Sequence, residues 1–319
     1  MQKNSALSIE ASNFLKGLAI LLVILVHTLS SFQESVFVGF DGRWQTLAVL
    51  IDKICRFSVP LFVALSGYGL NQRYFKKPLN FGEFLRHRLW KLIPKYLLWS
   101  AILILAVKII PAWHSDRPSP PLSLLLLLGY ADYHLYFVPM ILQLYFLFPI
   151  LRFFYGKWPN LTLFLALLIQ VMWFASFSYQ QKLPFNWSIF AADHEQYLWA
   201  SNWIFYFVLG MALPRILIWL RQKTFVWNLI LITCLLIGWL ALSINAIARI
   251  QMGTDPLLVL RFTQYSMIAW VSLGIISLSF FASQLKTVPE IMFWLGQKSY
   301  DLYLSHTLLL RLVFSFFVW

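Results

Sequence analysis

The stretch "NFLKGLAILLVILVHTLSS", residues 13–31, decides the fold class. A helix that crosses a membrane needs about 20 mainly apolar residues. The ionisable residues of this stretch are Lys16 near its start and His27 near its far end. We predict a first transmembrane helix rather than a removed signal peptide, because no small-residue cleavage site follows the apolar run.

The composition of the whole chain supports the same class. Of 319 residues, 60% are hydrophobic and 12% are charged, and the mean hydropathy is +0.72. Soluble domains contain about 45–50% apolar residues. The 15 Trp, 14 Tyr and 29 Phe fit aromatic belts at two membrane interfaces. The two cysteines, Cys55 and Cys234, have neither a metal-ligand spacing nor the pattern of a disulfide framework.

We therefore predict an all-α, polytopic integral membrane protein: a bundle of about nine to ten transmembrane helices in a single domain over residues 1–319. The run at 120–129 is too short to span and is expected to lie at the interface, or to belong to a tenth, irregular crossing. The nine clear segments lie at roughly 13–31, 46–70, 92–110, 134–155, 160–178, 198–220, 225–247, 257–283 and 299–319.

The basic residues of the loops predict the orientation. The connection between the second and third segments carries one acid, Glu83, and a cluster of basic residues. These are Arg73, Lys76, Lys77, Arg86, Arg88, Lys91 and Lys95. Because cytoplasmic loops carry an excess of Lys and Arg, we predict that this side and the N-terminus are cytoplasmic, in a plasma or inner membrane. The net charge of +13 is then mostly a topology signal and does not indicate a nucleic-acid partner.

Lys16 and His27 lie on one face of the first predicted helix. Eleven residues differ from three whole turns by about 20° and span about 16 Å. Lys16 can therefore lie at the cytoplasmic surface while His27 lies inside the bilayer, where ionisable residues usually face a cavity or a partner. The alternative is a histidine at the outer interface, with no chemical role.

The second segment carries Asp52, Lys53 and Arg56. Asp52 and Arg56 have the i, i+4 spacing that allows an ion pair along a helix. Asp52 is a candidate to orient or charge-stabilise a histidine, as carboxylates do in catalytic pairs. An ion pair that only fixes packing is equally compatible with this spacing.

The basic cluster is a candidate donor site. Arg86 and Arg88 are followed by Lys91 and Lys95, and guanidinium groups bind phosphates with two parallel hydrogen bonds. The alternative is anchoring by positive charge alone, which accounts for the number of charges but not for the use of an Arg pair. Ser66, in "PLFVALSGYGL", has no nucleophile motif and is expected to allow close helix packing.

Two further stretches carry polar candidates. In "DYHLYFVP", His134 and Tyr136 are expected to face the outer side, where aromatic rings and a few polar groups suit a sugar-like acceptor; an aromatic belt would look the same. In "KSYDLYLSHTLLL", Asp301 and His306 lie in an otherwise apolar helix. Ionisable residues in such a helix indicate a functional site.

These motifs together resemble the membrane acyltransferase 3 (Acyl_transf_3) family. The first is a basic residue, then Gly, then an apolar run that ends in His, here Lys16, Gly17 and His27. An Arg-x-Arg pair before "KLIPKY" follows, here Arg86 and Arg88. The other matching stretches, in family order, are "PLFVALSGYGL", "HLYFV", "FYFVLGMAL" and "SYDLYLSH". Two departures are Lys16, where the family usually has Arg, and nine clear helices where it is usually described with ten. No appended extracellular esterase-like domain is expected.

The resemblance implies an O-acyltransferase of cell-surface glycans. The donor would be acyl-CoA, most often acetyl-CoA, with no tightly bound cofactor and no metal. Arg86 and Arg88 would bind the donor with help from Lys16 and Lys91. Membrane lipid would surround the protein.

In this interpretation His27 acts on a hydroxyl acceptor, as a general base or as an acyl-carrying nucleophile. Asp52, Asp301 and His306 complete the catalytic candidates, and His134 and Tyr136 the acceptor-binding candidates. A transporter or exporter of a glycan or lipid-linked saccharide remains the main alternative. A second alternative is a signalling or scaffold relative that has lost its catalytic residues. The presence of His27 and of the Arg pair argues against it.

Overall fold

The computed structural model describes residues 6–31, 42–75, 77–110, 113, 121–178, 197–223, 225–261 and 264–317. This part of the chain is all helical, without a strand. The helices are α1 (Ile9–Ser31), α2 (Gly42–Cys55), α3 (Ser58–Tyr74), α4 (Phe81–Ile109), α5 (Leu122–Leu127), α6 (Phe137–Lys157), α7 (Pro159–Ser178), α8 (Ile204–Arg221), α9 (Phe225–Gln251), α10 (Pro256–Val259), α11 (Tyr265–Ala282) and α12 (Glu290–Phe317). A 3₁₀ turn, Ala200–Asn202, precedes α8.

Seven helices of the described chain are long and apolar enough to cross a membrane: α1, α4, α6, α7, α8, α9 and α11. Each corresponds to one predicted segment. The prediction of an all-α, multi-pass membrane protein is confirmed. The short α5 occupies the run that was expected not to span.

The predicted segment 46–70 is wrong as a single helix, because the structure breaks it at Arg56 and Phe57 into α2 and α3. Pro60 explains the break. A continuous helix would need an N–H on Pro60 to bond the carbonyl of Arg56, and proline has none. In the first turn of α3 that N–H is not required.

Three other predicted segments differ most from the observed helices. The helix predicted over 92–110 begins eleven residues earlier, at Phe81, where the side chain of Asn80 caps it by accepting from the Glu83 N–H at 3.3 Å. The segment 257–283 is divided into α10 and α11. The last segment, 299–319, lies within the longer α12, and its final two residues are outside the described chain.

The chain divides into two compact units, each built from two stretches. The first unit consists of Met1–Gln72 and Leu209–Tyr303, and in it α1 packs against α2 and α11, while α9 packs against the same two helices. The second unit consists of Arg73–Val208 and Leu304–Trp319, and in it α6 packs against α4 and α7. The single functional domain predicted over 1–319 stays a prediction.

Glycines allow the closest helix contacts of the first unit. A Cβ on Gly17 would lie 2.5 Å from the Met292 carbonyl oxygen. A Cβ on Gly210 would overlap the backbone of Ala64, and the Asn71 side chain donates to the Met211 carbonyl at 2.9 Å, also between α3 and α8. The stretches "PLFVALSGYGL" and "FYFVLGMAL" thus pack against each other, as small residues permit in membrane proteins.

Candidate active site

His27 and Lys16 are both half-buried on α1. The helix is continuous from Ile9 to Ser31, so the spacing that places both residues on one face holds in the structure. α1 packs against α2, which carries Asp52. The candidate histidine and one candidate carboxylate therefore lie on two helices in direct contact.

Asp52 forms the predicted ion pair along α2. Its carboxylate accepts from Arg56 Nε at 3.0 Å and from Arg56 Nη2 at 2.5 Å. Asp52 is 1% exposed, so a partner such as Arg56 is needed to compensate the burial of its carboxylate. The neighbouring Lys53 is equally buried and donates to the Val259 carbonyl at 3.2 Å. The role of Asp52 toward His27 stays a prediction, as does that of Asp301, which is half-buried on α12.

A cavity of about 680 Å³ lies in the second unit, where α3 ends and α4 begins. Arg73, Lys77 and Arg86 contribute three cations to its lining, and Glu83 contributes one carboxylate. The guanidinium of Arg152, near the end of α6, donates to the Lys77 carbonyl at 2.8 Å and so holds the connecting loop. The other lining residues are Tyr74, Pro78, Asn80, Phe84, His87 and Trp90.

Two aromatic residues of the cavity lining pack against each other and against α6. Phe84 is 3% exposed and lies in edge contact with Tyr74, at 5.5 Å between ring centroids. It also contacts Phe148 at 5.6 Å and Tyr145 at 6.4 Å. These contacts join α3, α4 and α6, and thereby fix the two ends of the charged loop.

Arg86 and Arg88 do not share a surface. Residues two positions apart on a helix point about 200° from each other. Arg86 is exposed and lines the cavity, whereas Arg88 is half-buried with its guanidinium 5.8 Å from the Phe84 ring and 5.5 Å from the Tyr145 ring. The Arg88 Nε is buried and has no hydrogen-bond partner among the described residues. Lys91 is exposed one turn further along α4.

A second polar cluster joins two distant stretches of the second unit. The rings of His134 and His306 meet edge to face at 4.8 Å between centroids. Asp132 Oδ2 lies 3.8 Å from His134 Nδ1, and its Oδ1 accepts from Arg311 Nη2 at 3.0 Å and from the Tyr133 backbone N–H at 2.8 Å. The histidines are 1% and 3% exposed. We refer to Asp132, His134, His306 and Arg311 as the histidine–aspartate cluster.

The candidates from the sequence included the two histidines of this cluster but not the pairing of Asp132 with Arg311. The sequence did contain a signal for this pair: Asp132 and Arg311 are ionisable residues in or beside apolar helices, where such residues usually have a partner. Gly129 shapes the turn that delivers Asp132 and His134: its φ is +76°, and a Cβ there would lie 2.7 Å from the Leu135 carbonyl oxygen. Only glycine adopts that conformation freely.

Tyr136 is 8% exposed and belongs to an aromatic group rather than to an open surface. Its ring is stacked on Trp203 at 6.3 Å and lies 5.7 Å from Tyr197. The structure therefore brings His134 and His306 together and places Tyr136 in the packing beside the 3₁₀ turn. Among the residues that the structure describes, no three His, Cys, Asp or Glu side chains are grouped so as to hold a metal ion.

Comparison with protein families agrees with this arrangement of motifs. The family Acyl_transf_3, described as an acyltransferase domain, matches residues 9–318. Comparisons with curated proteins and with solved structures give no significant match. Since the family match covers essentially the whole chain and the helices are those of a multi-pass membrane protein, the chain belongs to the Acyl_transf_3 family of membrane acyltransferases.

Proposed function

We propose that this acyltransferase transfers an acetyl group from cytoplasmic acetyl-CoA to a hydroxyl of an extracytoplasmic or lipid-linked glycan. The observation that carries the proposal is the basic cavity between α3 and α4. It lies in the loop with the strongest positive charge, which the loop-charge rule places in the cytoplasm, where acyl-CoA is found. The arginine guanidinium groups there can form paired hydrogen bonds with the phosphates of the donor.

The donor then extends from this surface toward the bilayer interior. Arg86 and Lys91 are the exposed candidate donor ligands on α4, and Lys16 on α1 stays a separate candidate. Arg88 serves a more buried part of the donor, because its guanidinium is already partly desolvated against Phe84 and Tyr145. A cation in such surroundings interacts more strongly with a polar group than one in water.

His27 is the proposed reactive residue. As general base, its imidazole nitrogen takes the proton of the acceptor hydroxyl while the oxygen forms a bond to the thioester carbonyl carbon. The C–S bond then breaks, and the imidazolium returns the proton to the leaving thiolate, giving an ester and free CoA. In the two-step route an imidazole nitrogen attacks the thioester carbonyl, the C–S bond breaks, and CoA leaves as the thiol with the other imidazole proton. The acceptor hydroxyl then attacks the acetyl-imidazole, the C–N bond breaks, and the hydroxyl proton returns to the imidazole. Asp52 and Asp301 are the proposed stabilisers of the imidazolium charge.

The acceptor is proposed to bind at the histidine–aspartate cluster, which the loop-charge rule places toward the outer side. His134, Tyr136 and His306 are buried, so in this proposal they position the accessible residues and do not contact the acceptor directly. One member of the cluster and one neighbour are accessible: the Arg311 side chain is 32% exposed, and the adjacent Tyr133 is 43% exposed. A tyrosine ring beside a hydrogen-bond donor suits the alternating apolar and hydroxyl faces of a sugar.

The test uses purified full-length protein in lipid nanodiscs with acetyl-CoA and candidate glycan acceptors. We expect release of free CoA that depends on both substrates, and an acetyl-sized mass increase on the acceptor. Mass spectrometry of surface glycans from cells with and without the protein identifies the acceptor class. Movement of glycan across vesicles without consumption of the thioester would support the transporter alternative instead.

A further inference from the structure

The lining of the α3–α4 cavity contains basic residues that lie outside the Arg-x-Arg pair. Arg73 comes from the last turn of α3 and Lys77 from the loop, and both line the same cavity as Arg86. One carboxylate, Glu83, lies in the same wall. With three cations and one acid, the described lining is positively charged and favours a ligand with more than one negative charge.

The remaining lining indicates which kind of anion fits. Tyr74 and Trp90 supply aromatic surface beside the cations, and Trp90 is 80% exposed. Proteins that bind single-stranded nucleic acid combine base stacking on aromatic side chains with cationic contacts to the phosphates, and the same chemistry suits one nucleotide. The volume of about 680 Å³ lies within the roughly 300–1,000 Å³ that small-molecule sites occupy.

Arg86 and Arg88 point to different sides of α4, so they would contact different parts of one extended acyl-CoA molecule. The thioester of acyl-CoA must approach the bilayer interior to react, so the opposite end of the molecule remains at the surface. That end is an adenosine with a 3′-phosphomonoester, which carries about −1.5 to −2 charges at neutral pH. The half-buried Arg88 is not among the described residues that line the cavity.

We propose that the α3–α4 cavity binds the 3′-phosphoadenosine end of acyl-CoA, with Arg73, Lys77 and Arg86 on the 3′-phosphate and the aromatic side chains beside the base. This inference rests on the proposed function, which supplies acyl-CoA as the donor. It adds Arg73 and Lys77 to the donor site and restricts Arg86 to the nucleotide end.

The experiment compares CoA with 3′-dephospho-CoA, which lacks only the phosphomonoester. Equilibrium binding of each is measured by calorimetry with purified full-length protein in nanodiscs of zwitterionic lipid. Charge-assisted hydrogen bonds are worth enough that we expect wild type to prefer CoA by about tenfold or more. Arg86→Gln and Lys77→Gln should each weaken CoA binding more than 3′-dephospho-CoA binding and so reduce the preference.

Lys108→Gln is the matched control, because Lys108 is an exposed lysine of α4 at the end far from the cavity. It should keep the full preference. Both Lys77 and Arg86 are exposed, so their variants should fold, which thermal unfolding checks.

The outcomes separate the inference from the proposed function. Equal binding of the two ligands by wild type, or a preference that survives Arg86→Gln and Lys77→Gln, would overturn the inference alone. Binding of neither ligand would overturn the donor assignment as well. The phosphate of a lipid headgroup could also occupy this cationic cavity. If the variants change only the stabilisation given by added phosphatidylglycerol and not the CoA preference, the cavity is a lipid site and the inference fails.

Discussion

Asp132 and Arg311 lie 179 positions apart in the chain, yet Arg311 Nη2 donates to Asp132 Oδ1 at 3.0 Å. The carboxylate is 1% exposed and the guanidinium side chain 32% exposed, so the pair reaches from the interior of the second unit to its surface. The Arg311 Cζ also lies 5.9 Å from the Trp113 ring. This contact fixes the end of α12 to the turn that carries His134.

Removal of one partner of this pair should destabilise the protein more than removal of both. Arg311→Gln leaves a buried carboxylate without its cation, whereas Asp132→Asn together with Arg311→Gln leaves two neutral groups. We expect a coupling energy of about 0.5–3 kcal/mol in the double-mutant cycle. Thermal unfolding in detergent measures it, with exposed Lys298→Gln on the same helix as the control. Strictly additive effects would show that the pair is not coupled.

Gly210→Ala should loosen the contact between α3 and α8. Its Cβ would overlap the backbone of Ala64, and backbone cannot rotate away as a side chain can. Overpacking of this kind costs about 1–3 kcal/mol. Gly156→Ala is the control, since a Cβ there meets nothing within 4 Å, and it should be neutral or slightly stabilising. Equal unfolding temperatures for the two variants would contradict the packing argument.

His27→Ala should abolish acyl transfer while the protein still folds. Loss of a general base or nucleophile reduces the rate by about 10²-fold or more. CoA release by membranes with matched protein levels measures the effect. Thr28→Ala is the neighbouring control, because its hydroxyl donates to the Ile24 carbonyl of the same helix, at 2.9 Å. Near-normal activity of the His27 variant would remove it from the catalytic assignment.

Arg88→Lys should weaken the binding of acyl-CoA, even though it keeps the charge. A lysine cannot reproduce the planar contact of the guanidinium with the Phe84 and Tyr145 rings, or its paired donors. Unlike the Arg86 variant, it should weaken CoA and 3′-dephospho-CoA by the same factor. Unchanged donor affinity with a loss of acceptor use would place Arg88 at the acceptor instead.

The predicted orientation can be read by labelling single cysteines in intact cells. Met252 is 83% exposed after α9 and is predicted to lie outside, whereas exposed Lys286 after α11 is predicted to be cytoplasmic. Met252→Cys should react with an impermeant thiol reagent in intact cells, and Lys286→Cys only after the membrane is opened. The native cysteines, buried Cys55 and exposed Cys234, are replaced first. Labelling of Lys286→Cys in intact cells would invert the topology and place the α3–α4 cavity on the wrong side for acyl-CoA.

Local spacing determined much of what the sequence alone could predict. The seven apolar helices follow from runs of about 20 apolar residues, which have few other stable solutions in lipid. The Asp52–Arg56 pair follows from helix geometry, because i, i+4 neighbours must lie on one face. The ordered motifs from Lys16 to His306 indicated the family, and the match over residues 9–318 confirmed it.

Long-range contacts were decided only by the tertiary structure. Arg86 and Arg88 have different surroundings because α4 begins at Phe81, and the apolar pattern alone started that helix too late. The meeting of His134 with His306, and of Asp132 with Arg311, depends on which helices pack together. In a helix surrounded by lipid most faces are apolar, so hydrophobic periodicity does not identify the partner face. Close contacts at glycines and a few buried polar pairs select it, and these are visible only once the chain is folded.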